Sequence, residues 1–228
     1  MKKSVSVILV AYNKFENFEK VIKGWLNQPE VDDIIILDNS GTFKTELPVL
    51  IVNVSENLNV QGKFPLAFWA KHDCILLFDD DILPKAGLVA DFLKHWTSAR
   101  LLSLIGRKFS GDTYYEYPGK KGSRMFYANK IEHLQKVEWV GAGACMVHRR
   151  YCAYPIKKVP EFMGIEDLWW EKQIRDKLDF YVIPSNNWEN LPEQKDPKRA
   201  IHLGSYMGGK KKWEEQREKY AKKWGFVK

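Results

Sequence analysis

At 228 residues, with 45% hydrophobic and 14% aromatic content, the chain can fill one large packed domain, and its apolar runs of four to six residues exclude a bilayer-spanning helix, which needs about 18. The formal net charge of +7 is concentrated at the end: Lys195 to Lys228 holds eleven Lys or Arg against four Asp or Glu, which leaves 25 of each sign in residues 1 to 194. Three cysteines, Cys74, Cys145 and Cys152, are an odd number without C-x-x-C spacing, which argues against a disulfide framework and for a reducing cytoplasm.

The N-terminus passes from Met1-Lys2-Lys3 straight into "VSVILV" (Val5 to Val10), a strand, so neither a signal peptide nor a membrane anchor is expected. Phe15, Phe18, Val21, Ile22, Trp25 and Leu26 then trace one helical face. "IIIL" (Ile34 to Leu37) and "VLIVNV" (Val49 to Val54) read as further strands. A helix is predicted from about Leu66 to His72, a strand from Ile75 to Phe78, a helix through Leu88, Val89, Phe92, Leu93 and Trp96, and a strand at "LLSLI" from Leu101. Strands apolar throughout and separated by helices indicate a mostly parallel sheet covered on both faces, a Rossmann-like half. From Arg107 to Lys136 periodicity is lost, and irregular hairpins or a mobile loop are expected. "VEWVGAGACMVHRRY" (Val137 to Tyr151) is strand-like, a helix opens near Glu166, and "FYVIP" (Phe180 to Pro184) is a strand. Trp213, Tyr220 and Trp224 recur at helical spacing in the basic tail, which is either a docking segment for an anionic partner or an amphipathic helix packed on the body.

Asp79, Asp80 and Asp81 follow the apolar run Ile75 to Phe78 directly. Ligands of open parallel sheets bind at the carboxyl ends of strands, and three adjacent carboxylates there repel one another until a cation arrives. Their hard oxygen donors suit Mg²⁺ or Mn²⁺. Alternation sends Asp79 and Asp81 to one side and Asp80 to the other, so a D-x-D pair can share one metal and its ligand. A solvated turn would explain an isolated D-x-D equally well, but "AYN" (Ala11 to Asn13) and "DNSG" (Asp38 to Gly41) also follow strands. Polar groups after successive strands are what a nucleotide pocket needs.

"VSVILVAYN", "IIILDNSG", "ILLFDDDILP", "WVGAGACMVHRRY" and "GIEDLWWEKQI", in this order, resemble the GT-A fold of nucleotide-sugar glycosyltransferases. The closest resemblance is to the C-terminal catalytic domain of the exostosins and exostosin-like proteins (family 64), with the family 2 glycosyltransferases more distant. It covers about Val5 to Pro184. It implies a single α/β GT-A domain, with a Rossmann-like, mostly parallel sheet flanked by helices: residues 1–105 the nucleotide-sugar half, 106–194 the acceptor half, 195–228 a basic tail or helix. It implies a UDP-sugar pocket with Ala11, Tyr12 and Asn13 beside the base, Asp38 at a base contact that the exostosins do not share, Asn57 and Lys63 near the nucleotide, Asp79 on the ribose or base side with Asp80 beside it, and Asp81 on the metal. Lys63 stands where relatives have Arg.

In the second half the resemblance places the acceptor-side carboxylate in the pair Glu166–Asp167, with Asp167 either the general base of an inverting transfer or the group that orients the donor in a retaining one. As residues alone, an acidic pair opening a helix is also a common capping device. Gly141 and Gly143 would admit close backbone approach or mark a bulge. Arg149 and Arg150 are solvated or neutralise acceptor phosphate. Many GT-A enzymes bring a C-terminal His to the metal, which singles out His202, and Lys210 to Lys212 are candidates for the leaving phosphates.

The expected function is a metal-dependent (Mn²⁺ or Mg²⁺) transfer of a hexosyl or pentosyl group from a UDP-sugar to a hydroxyl acceptor in a bacterial or phage-infected cytoplasm. Candidate acceptors are a surface polysaccharide or lipid-linked glycan precursor, a protein, or DNA carrying 5-hydroxymethylated bases as in bacteriophages; the basic tail and Arg149–Arg150 speak for DNA. A non-catalytic nucleic-acid or carbohydrate binding module on the same scaffold is a different class of answer. A nucleotidyltransferase is disfavoured, because no Gly-rich phosphate loop follows the first strand.

Overall fold

The structure, a computed structural model, describes residues 4–12, 15–115, 122–153, 164–192 and 210–228. Strand β1 (Val5–Ala11) is buried at every position, as the unbroken apolar run requires of a strand covered on both faces. Helix α1 (Phe18–Leu26) buries Phe18, Val21, Ile22 and Trp25 and returns the chain to β2 (Val31–Asp38), which is followed by β3 (Leu50–Asn53). The next helix is shorter and earlier than the pattern suggested. A 3₁₀ turn at Val60–Gly62 leads into α2 (Lys63–Leu66), and a second 3₁₀ turn ends at Trp69, after which Ala70 is extended. Strand β4 (Cys74–Asp79), the turn at Asp80–Asp81, β5 (Ile82–Pro84) and α3 (Leu88–His95) follow.

Strands β6 (Arg100–Ser103) and β7 (Ile105–Phe109) divide the run at Leu101, and β7 pairs antiparallel with β8 (Ser123–Tyr127), so the segment without periodicity contains a hairpin. After β9 (Gln135–Val137), the glycine-containing run splits into β10 (Trp139–Val140) and β11 (Ala144–His148) around Gly141–Gly143. Helix α4 (Glu166–Ile174), β12 (Asp179–Val182), β13 (Trp188–Asn190) and α5 (Lys210–Lys223) complete the described chain.

One eight-stranded sheet in the order β3-β2-β1-β4-β11-β6-β12-β9 joins both halves. β3, β2, β1 and β4 are mutually parallel, and β11 enters antiparallel to β4. The carboxyl ends of β1, β2 and β4 therefore form one edge, carrying Ala11, Asp38 and Asp79. β5 pairs with β13 outside the sheet, and the Leu191 N–H donates to the Asp81 carbonyl at 2.8 Å, pinning the turn after β4. A second apolar cluster, with Tyr114, Trp139, Ile165, Leu168, Tyr220 and Phe226 in it, fastens α5 to α4 and the β7 hairpin. The tail helix is thus packed onto the body, with Arg217 and Tyr220 on its buried face. No described helix is long and apolar enough to cross a membrane.

Candidate active site

Asp79 ends β4 beside Lys63, whose ammonium donates to Asp79 Oδ1 at 3.1 Å. Lys63 is 1% exposed, an unusual setting for a lysine. Burial, the largest single influence, pulls its pKa down, but Asp79 together with Cys145 and Glu166 holds it above the ordinary lysine value. Lys63 thus meets Asp79 and is shielded from solvent. From the other side, Gly143 accepts the Asp79 N–H through its carbonyl at 2.8 Å, and a Cβ on Gly143 would overlap the Asp79 carboxylate. Gly143 is thus packed directly against Asp79. Asp80 and Asp81 are half-buried in the turn that follows.

The neighbouring loops are stitched together. Asp38 is fully buried; its Oδ1 accepts from the Ser40 N–H and hydroxyl at 2.9 and 2.6 Å, and its Oδ2 accepts from the Phe43 N–H at 2.7 Å. Its carboxylate therefore organises the loop after β2. Asn39 links that loop to the next, donating to the Asn59 carbonyl at 3.1 Å and accepting from the Leu58 N–H at 3.0 Å. Asn57 Oδ1 accepts the Asn59 N–H at 2.7 Å. Ala11 is buried at the end of β1 and Tyr12 is half-buried next to it, while Asn13 lies outside the described residues.

Glu166 and Asp167 open α4 but face different neighbours. Asp167 is 7% exposed and bound by Arg217 of α5 through two parallel bonds, Nη1 to Oδ1 at 3.0 Å and Nη2 to Oδ2 at 2.8 Å. Arg217 also donates to the Tyr114 hydroxyl at 2.8 Å and to the Gly164 carbonyl at 2.7 Å. Burial, the largest single influence, disfavours the Arg217 charge, but Asp167 together with Tyr114 and Tyr115 more than restores it. Glu166 is half-buried, and its Oε2, shielded from solvent, has no hydrogen-bond partner among the described residues. Burial raises its carboxyl to about 7, reinforced by the Asp167 carboxylate and opposed by Arg217 and Lys63. Glu171, one turn on from Asp167, is fully buried and accepts the Val140 N–H at 3.2 Å.

Arg149 and Arg150 lie away from the acidic turn. β11 runs antiparallel to β4, with Ala144 opposite Phe78 and His148 opposite Cys74, so the two arginines lie at the opposite end of β4 from Asp79, roughly 17 Å away at strand spacing. Arg149 pairs with Asp73 at 2.7 Å and donates to the Ala70 carbonyl, and Arg150 donates to the Ser98 carbonyl. Neither reaches the site. Lys210 is exposed at the start of α5, 3.7 Å from Glu214. His202 lies outside the described residues. Arg217, the partner of Asp167, is not among the candidates that the sequence pattern offers.

The family model for glycosyl transferase family 2 matches residues 6–154, which contain β1 through the Asp79–Asp81 turn to β11. This is the family that the motif set resembled more distantly; the exostosin resemblance is not what the match supports. Among solved structures, that of S. aureus TarS 1-349 superposes with a TM-score of 0.55 at 13% identity, over 88% of this chain and 64% of that one. The chain thus spans under two thirds of the length of that protein, and at this identity the likeness speaks for a shared GT-A fold. No curated protein matches.

Proposed function

Since the chain belongs to glycosyl transferase family 2 and is a glycosyltransferase, we propose that it moves a sugar from a uridine diphosphate sugar to a hydroxyl acceptor with the help of a divalent cation. The observation that carries this reading is the Asp79–Asp81 turn at the carboxyl end of β4, fixed by Lys63, Gly143 and Leu191 on three sides. So many constraints on one acidic turn are more than a solvated loop needs. In this reading Tyr12, which follows β1 at the same sheet edge, would meet the base, and the Asp79 carboxylate would accept from a ribose hydroxyl.

The donor set fits a hard divalent ion in kind: Asp81 supplies carboxylate oxygen. Among the described residues no three side chains of metal-binding type converge, so diphosphate oxygens would complete the shell, as Mg²⁺ and Mn²⁺ sites on nucleotides commonly require. Bound there, the ion would take up charge on the departing diphosphate. The protein's own part is to hold Asp79 through Lys63 and to leave room for that carboxylate at Gly143.

For the acceptor we take a glycan hydroxyl, in keeping with the family. The DNA reading drew on Arg149–Arg150 and on the basic tail; the first pair faces the other end of the sheet, and the second buries Arg217 and pairs Lys210, Lys211 and Lys222 with glutamates on its own helix. Cys74, Cys145 and Cys152 are buried and take part in no disulfide. The test is thermal stability with UDP, GDP, CDP and ADP, each with and without Mn²⁺. A rise selective for UDP with Mn²⁺ and absent in Asp81→Ala supports the donor site; equal or no response to all nucleotides refutes it.

A further inference from the structure

The turn that backs Asp79 is itself held from within the core. Gly143 offers its carbonyl to the Asp79 N–H and its bare Cα to the Asp79 carboxylate, so the place of Asp79 depends on the place of the Gly141–Ala144 turn. That turn closes on itself only weakly, the Ala144 N–H reaching the Gly141 carbonyl at 3.4 Å. Two buried polar side chains from other elements hold it instead.

Ser103, at the end of β6, is fully buried. Its hydroxyl lies 3.0 Å from the Ala144 carbonyl and 3.3 Å from the Gly141 carbonyl, at both ends of the turn, and accepts the Ile105 N–H at 3.2 Å. A hydroxyl has a single proton, so the two carbonyls share it. Glu171 of α4 holds the approach to the turn. β10 is an edge strand in the order β10-β7-β8. The Gly141 N–H turns to the Ile105 carbonyl at 3.0 Å, while the Val140 N–H, one residue earlier, faces the other way, where no strand meets it. The Glu171 oxygens lie 3.2 and 3.3 Å from that N–H, the one hydrogen-bond partner of the carboxyl among the described residues.

A fully buried carboxyl with one shared N–H is a costly way to fill a core. Burial, and then the Asp167 carboxylate, push it well above the usual carboxylate range and favour the neutral acid. A methionine would occupy similar space without that cost. What the carboxyl supplies, and an apolar side chain does not, is an acceptor that fixes the strand residue from which the turn departs.

Resting on the donor-site reading above, we propose that Glu171 and Ser103 are positioning residues for nucleotide-sugar binding: together they hold the Gly141–Ala144 turn, whose Gly143 sets the Asp79 carboxylate toward the donor. Through Glu171, helix α4 is tied to the carboxyl end of β4.

The test uses the full chain and two readouts. The first is the ¹H–¹⁵N resonance of Asp79 and its hydrogen-exchange rate, with no nucleotide present. The second is calorimetric titration of UDP in Mn²⁺ at a temperature where each variant is folded by circular dichroism. Glu171→Met removes the acceptor and keeps the bulk; it is expected to shift the Asp79 resonance, to speed its exchange and to weaken UDP binding about tenfold. Glu171→Gln keeps an oxygen acceptor in the shape of the neutral acid and is expected to bind UDP within about twofold of wild type. Ser103→Ala acts at the turn itself and carries the test should the methionine variant not fold. It is expected to shift the same resonance and to weaken binding at least about threefold. A merely structural role would lower Tm and leave the UDP affinity of the folded protein alone. The proposal is overturned by an unmoved Asp79 resonance, by wild-type UDP affinity once Asp79 has moved, or by a glutamine variant as weak as the methionine one. If the wild type itself binds no UDP in Mn²⁺, the donor-site reading falls and the positioning role falls with it, a result separable from the Asp79 resonance, which reports the turn alone.

Discussion

Gly143 accepts the Asp79 N–H at 2.8 Å, and the space a Cβ would take on Gly143 is filled by the Asp79 carboxylate. The pairing of β11 with β4 continues for one residue past the strand and sets the first acid of the D-x-D against bare backbone. Gly143→Ala is therefore expected to destabilise by about 1–3 kcal/mol and to push Asp79 aside, weakening UDP binding in Mn²⁺ by at least about tenfold, or about 1.4 kcal/mol. Calorimetric titration checks the binding; unchanged affinity would mean that Asp79 does not meet the donor.

Lys63 is the counter-charge on the opposite side. Lys63→Met keeps the stem's bulk and removes the ammonium, leaving the Asp79 carboxylate with a buried neighbour that no longer compensates it. Asp79 retains some access to solvent, so the expected loss is about 2 kcal/mol, less than for a fully buried pair. Urea unfolding at pH 7 measures it, and a stability equal to wild type would show that the ion pair is neutral in balance.

Glu166 makes stability depend on pH. Its folded-state carboxyl, raised to about 7 from an ordinary 4.5, binds its proton more tightly than the unfolded chain does. This contribution to stability is fully present below pH 4.5 and is lost as the pH rises through 7. Gln cannot ionise, so Glu166→Gln should be stabilising by roughly 2 kcal/mol at pH 8, after allowance for partial exposure, and near neutral at pH 4.5. Denaturation at the two pH values decides it; a pH-independent difference would contradict the raised carboxyl.

Asn59 sits at φ 56° and ψ −167°, a region that glycine alone occupies without strain. Its backbone N–H donates to Asn57 and its carbonyl accepts from Asn39 and from the Gly62 N–H, bonds that glycine would keep. Asn59→Gly should stabilise by about 1 kcal/mol, strain relief exceeding the added entropy of the unfolded chain. A fall in Tm would show that the asparagine side chain matters more than the backbone.

The strands of the parallel half were legible because burial on both faces leaves a direct trace: β1, apolar throughout, is buried at all positions. The acid turn after β4 was legible for the same reason, since three charges directly following a core strand are conspicuous. Strand direction leaves no such trace. Nothing in "ACMVHRRY" says that β11 runs against β4, and Arg149–Arg150 were accordingly expected at the wrong end of the sheet. Helix α2 was displaced because Lys63 counts as polar in any periodicity, although the fold buries it against Asp79. Arg217 was hidden by its surroundings: one more cation in a basic tail, its partner fifty positions earlier. The available signal was its place on the helical face of Trp213, Tyr220 and Trp224, where a charge is expected only with a buried partner.

The central claim is a metal-assisted UDP-sugar site at the carboxyl end of β4. Its most direct test is a crystal of the protein with UDP and Mn²⁺, with anomalous scattering recorded at the manganese edge. The account requires a peak about 2.1 Å from an Asp81 oxygen, bridged to the diphosphate, with uracil beside Tyr12. UDP bound elsewhere, or manganese away from the Asp79–Asp81 turn, would contradict it.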